Sequence, residues 1–104
     1  MTKLMEEEII PNLMRTRDAG QKEYAHEQGD VFANFKRVAK SIDSDMKKVL
    51  WVYFLKHVDG ISAHIKGHKS QREDVRGRIT DAMVYLALLW GMVVEDDDWR
   101  KAEE

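Results

Sequence analysis

Residues 77–94 read GRITDAMVYLALLWGMVV, and from Ala82 to Val94 no charged side chain occurs. A run this long and apolar, with no proline and no strict alternation of polar and apolar residues, reads as a buried helix. As a helix it sets Arg78, Asp81 and Tyr85 on one stripe, at i, i+3 and i+7. An arginine and a carboxylate at the mouth of such a segment either pair to close a core or face a polar ligand.

Working outward, the remaining chain is helical in pattern as well. The only proline is Pro11, and no stretch has the β-branched alternation of half-buried strands. A first helix is expected from about Lys3 to Gln28, with Glu6, Glu7 and Glu8 near its start, where acids complement the helix dipole. Pro11 must kink that helix or begin a second one. Asp30 is a suitable N-cap for a short helix over VFANFKRVAK, and Ser44 or Asp45 for a third helix from Met46 to about Ile65. The run VLWVYFL in the third helix is apolar all round, so other helices should wrap it. Gly67 supplies a stop. A fourth helix should begin near Glu73 and end by Glu95, because Asp96, Asp97 and Asp98 are unfavourable at a helix C-terminus. The expectation is an all-α, single-domain bundle of four to five helices over residues 1–104. Its two most apolar helices need both a bundle centre and a subunit interface to cover them, so a homo-oligomer is expected.

Composition narrows the function classes. The chain has 104 residues, 17 Lys+Arg and 19 Asp+Glu, giving a net charge of -2. That balance argues against general nucleic-acid binding. Cysteine is absent, which removes disulfides, thiolate nucleophiles and cysteine zinc sites and suits a reducing cytoplasm. The N-terminal MTKLMEEEII is acidic where a signal peptide is basic. The apolar run is shorter than a membrane span needs. A cytoplasmic protein without a membrane partner is therefore expected.

No Gly-rich phosphate loop, nucleophile elbow or HExxH string occurs. Two weaker constellations remain. Glu23, Glu27 and Asp30 lie at i, i+4 and i+7 and, with Glu73, Asp74 or Asp81 of the fourth helix, could hold Mg²⁺, which takes hard oxygen ligands. Lys66, His68, Lys69, Arg72, Arg76 and Arg78 gather around the start of the fourth helix, where cations and backbone N–H groups can hold a phosphate. The competing readings are a solvated acidic face and a solvated loop. His57, His64 and His68 lack a third zinc ligand at a familiar spacing and read as surface histidines. Asn34, set between Phe32 and Phe35, is either satisfied by backbone or reads a base or sugar edge.

The segments KEYAHEQGDVFANFKRVA, KVLWVYFLKHVDGI and GRITDAMVYLALL resemble small phage-type proteins of the nucleotide modification-associated domain class. Carried over by position, the resemblance points to Lys22, Tyr24, Asn34, Lys56, Asp81 and Tyr85, and implies a role in phage nucleotide metabolism in the host cytoplasm. The last helix is also similar to the final metal-binding helix of all-α (MazG-like) nucleotide pyrophosphohydrolases, which read acid-x-x-Asp before a Tyr-Leu-x-Leu-Leu run. Here Arg78 stands where the first acid belongs, and no EExxE string precedes it. A cation among Mg²⁺ ligands opposes the metal, whereas an arginine oriented by a carboxylate suits a phosphate. The sequence thus leads to a nucleotide or nucleotide-derived phosphate ligand, with Lys56, Lys69, Arg72 and Arg78 at phosphates and Asn34, Tyr24 or Tyr85 near base or ribose. This reading needs no cofactor and no turnover. The alternatives are Mg²⁺-dependent pyrophosphate cleavage with Glu23, Glu27, Asp30 and Asp81 as ligands, and a non-catalytic protein–protein assembly module.

Overall fold

A computed structural model describes residues 1–24, 30–68 and 74–103 of the backbone, and the side chains of these except 20–24 and 98–103. Among the described residues the regular structure is all helical and forms an all-α bundle. A short turn α1 (Thr2–Leu4), a π turn (Met5–Ile9) and α2 (Ile10–Tyr24) follow one another, and then come α3 (Ala33–Ser41), α4 (Met46–Ile65) and α5 (Val75–Glu103). Met5 and Ile10, at the joints, keep helical backbone angles, so the first three segments follow one another without a break. Pro11 sits in the first turn of α2, immediately after the π turn. The extra residue of that wider turn falls where a proline ring would otherwise crowd the preceding carbonyls.

Local chemistry sets the other boundaries. Asp30 Oδ1 accepts from Phe32 N at 2.9 Å just ahead of α3. Asp45 Oδ1 accepts from Lys47 N at 2.6 Å and caps α4. Asp74 Oδ1 accepts from Arg76 N at 2.9 Å at the start of α5. Helices α3 and α4 end alike. Ser44 N donates to Ala39 O at 2.8 Å and Asp43 N to Lys40 O at 3.3 Å; His68 N donates to Ala63 O and Gly67 N to His64 O, both at 3.0 Å. This paired closure needs a left-handed residue at its corner, supplied by Asp43 (φ 52°) and Gly67 (φ 93°).

Helix α5 packs against both α4 and α2, and α3 lies on α4. α4 and α5 run antiparallel, since Lys47 meets Asp96 at one end while Gly60 meets Arg78 at the other. The core joins Phe32, Phe35 and Ala39 of the α3 region to Val49 and Leu50 of α4 and Met92 of α5. Leu50 and Met92 are fully buried. Gly91 is the notch that admits Phe32: a Cβ there would stand 2.9 Å from Phe32 Cζ.

Three expectations need correction. α5 does not stop at Glu95 but continues to Glu103. Lys36 pairs with Glu95 at 3.2 Å and Lys47 pairs with Asp96, so those acids are neutralised side-on from α3 and α4. Within one chain, the run VLWVYFL is not wrapped: Trp51 is 50% exposed and Val52 65%. Finally, Val75–Asp97 of α5 is long and apolar enough, by length and composition, to cross a membrane, where the charge-free run alone is too short; 17% of that span is buried.

Candidate functional site

Antiparallel packing brings one face of α5 against one face of α4. Arg78, Asp81 and Tyr85 share the α5 face, and His57 and Gly60 share the α4 face. Asp81 Oδ2 lies 3.8 Å from His57 Nδ1, with the imidazole about a quarter exposed. That separation is too long for a hydrogen bond but suits an ion pair when the imidazole is protonated. The His57 and Tyr85 rings lie tilted at 35° with centroids 5.1 Å apart. Tyr85 in turn meets Phe35 edge-on at 6.3 Å, and Phe35 meets Tyr53 at 6.1 Å. The row therefore passes from a guanidinium through a carboxylate and an imidazole to a phenol, and it is anchored on the core aromatics.

Gly60 gives Arg78 its seat. A Cβ at Gly60 would collide with Arg78 Nη1 and would stand 2.8 Å from its Cδ. The arginine stem thus crosses α4 at its one residue without a side chain, and Nε is shut off from water there. The opening alternatives are not exclusive. Arg78 helps close the helix pair, and Asp81, 40% exposed, keeps the row open to solvent at one edge.

The other predicted residues fall elsewhere. Lys56 is exposed on α4 beside His57. Asn34 is not held by backbone; its Oδ1 accepts from Arg37 Nη2 at 2.5 Å, one turn along α3. Of the basic group, Arg76 turns away from the row toward Asp74 (Nη2–Oδ2 2.7 Å) and Glu8 (3.7 Å). Hydrogen bonds from the Arg76 side chain and backbone hold the Asp74 carboxyl at about 2. Lys69 and Arg72 lie outside the described residues, as do Glu27 and Glu73, and the side chains of Lys22, Glu23 and Tyr24 are likewise not described. Asp30 is engaged with Lys36 Nζ at 2.9 Å and with Phe32 N, and these two contacts keep its carboxyl below the ordinary value. Among the described residues, no three His, Asp or Glu side chains gather to hold a metal ion.

Two features were not anticipated. From sequence His57 reads as a surface histidine, because its partners Asp81 and Tyr85 lie on another helix and no spacing along α4 reveals them. Lys36 bridges Asp30 and Glu95, and hydrogen bonds to those two carboxylates raise its ammonium above the ordinary value. With Lys40, Ser44, Asp45, Lys47 and Asp96 it borders an open depression of about 280 Å³. Lys36 and Lys47, on its rim, are already matched to carboxylates, so the depression mainly ties α5 to α3 and α4. Comparison of the chain with protein-family models, curated proteins and solved structures gave no match.

Proposed function

We propose that the chain binds a nucleotide or nucleotide-derived phosphate ligand at the open edge of the α4–α5 row, without turning it over. The observation that carries this reading is the alignment of Arg78, Asp81 and Tyr85 against His57 and Gly60. Each group suits one part of such a ligand. A guanidinium fork matches phosphate oxygens, a carboxylate accepts from ribose hydroxyls, and a phenol or imidazole face stacks on a base. The sequence resemblance to phage-type nucleotide modification-associated proteins implies a role in nucleotide metabolism, which accords with that ligand class. The Mg²⁺ alternative has less support, since Asp30 is occupied by Lys36 and Arg78 opposes a cation beside Asp81.

The test is a thermal-shift panel of mono-, di- and cyclic nucleotides, with and without Mg²⁺. A ligand at a hundred times its Kd stabilises the native state by about 2.7 kcal/mol. Arg78→Ala removes a charge-assisted contact worth about 1.5–3 kcal/mol, so the shift should disappear while helicity is kept. Arg78→Lys keeps the charge without the fork and should restore only part of it. If no nucleotide moves the melt, the proposal fails. Mg²⁺-dependent release of phosphate or pyrophosphate, lost in Asp81→Asn, would replace it with the enzyme reading.

A further inference from the structure

The exposed side of α5 carries a second pattern, separate from the row. Exposed Ile79, Leu86, Trp90 and Val93, with half-buried Met83 between them, recur at alternating spacings of four and three, the seam of a helix that packs against another helix. This seam points away from the Arg78–Asp81–Tyr85 face. Leu86 is 48% exposed and Trp90 76%. Trp51 of α4, half-exposed beside Phe54 at 5.2 Å, adds to the uncovered apolar surface.

The area of the whole chain supports a missing partner. A folded monomer of 12.2 kDa exposes about 6,100 Å², whereas this chain exposes 8349 Å². The excess is roughly 2,200 Å², and obligate homodimers bury about 1,000–2,500 Å² on each partner. The radius of gyration agrees: 15.7 Å, against about 13 Å for a compact domain of this length.

We infer that a second copy of this chain covers the α5 seam, in a two-fold interface centred on Leu86 and Trp90. A self-complementary apolar helix face is the surface a two-fold axis needs, and tryptophan at its centre is a common energetic anchor. A lipid bilayer is the poorer occupant. Crossing one would carry Arg78 and Asp81 into hydrocarbon and draw Met92 out of the core it shares with Phe35 and Leu50.

Sedimentation velocity on the full chain tests this, together with Leu86→Glu and Trp90→Glu, made singly and combined. Both positions are exposed in the single chain, so the variants should keep their helical circular dichroism. The expected result is a wild-type dimer at micromolar concentration, with the double variant weakened at least about a hundredfold in Kd. A monomeric wild type overturns the inference. So does a dimer that the double variant leaves unchanged, because another surface must then form it. Flotation of the wild type with neutral phosphatidylcholine vesicles, lost in the double variant, would assign the seam to a membrane instead. Neither readout depends on nucleotide, so failure here leaves the ligand proposal standing, and the reverse holds.

Discussion

Alanine at Gly91 should destabilise the fold, although alanine normally favours a helix. Within a helix, glycine to alanine gains up to about 1 kcal/mol in propensity. At Gly91 the added methyl would lie 2.9 Å from Phe32 Cζ, and Phe32 is a core side chain only 7% exposed. Overfilling a packed core costs about 1–3 kcal/mol, so the net change should lie between neutrality and a loss of about 2 kcal/mol. Gly77, on the same helix, has no atom within 4 Å of the position a Cβ would take. Gly77→Ala should therefore show the propensity alone, a gain of about 0.5–1 kcal/mol. The two variants should differ by at least about 2 °C in Tm, read by circular dichroism at matched protein concentration. Adding Phe32→Leu to Gly91→Ala should recover part of the loss, and that coupling isolates the contact. Equal stabilisation by the two alanines would refute the packing of Phe32 into Gly91.

Other consequences follow from the helix ends and the ion pairs. Asp43 holds a left-handed corner at φ 52°, so Asp43→Gly should raise stability by up to about 1 kcal/mol in urea denaturation. Asp30 and Asp74 titrate below the ordinary carboxyl value in the folded chain because of Lys36 and Arg76. A lowered folded pKa means that their contribution is complete above about pH 4 and is lost as pH falls through the folded values, toward about 2 for Asp74. Urea midpoints should fall over that range, and Asp30→Asn should flatten part of the fall. Lys36 has the opposite sign: its raised value makes its contribution complete below the ordinary 10.5 and lost as pH rises above it.

Much of the helix layout was legible in the sequence, because helix ends are set by residues close to them in the chain. Asp45, Met46, Ile65 and Gly67 bounded α4 by local chemistry. The end of α5 was not legible. The acids at 95–97 mark a poor C-terminus only while they are unpaired, and the lysines that neutralise Glu95 and Asp96 stand on α3 and α4. The candidate site was half visible. Arg78, Asp81 and Tyr85 share a stripe by helical period alone, whereas His57 and the seat at Gly60 belong to the site only through the antiparallel approach of α4. Asp30 shows the converse. Its spacing to Glu23 and Glu27 suggested a metal ligand, yet its carboxylate is engaged by a cation six residues onward.

The core is placed lopsidedly along the helix pair. Leu50, Met92, Phe32 and Phe35 concentrate buried apolar surface at one end, while the end bearing Gly60 and Arg78 is joined by a polar row. Opening that polar end exposes little apolar surface and leaves the aromatic cluster intact, so it should cost much less than global unfolding. The helix pair should therefore loosen first at the end bearing Gly60 and Arg78, with the aromatic end the last to part.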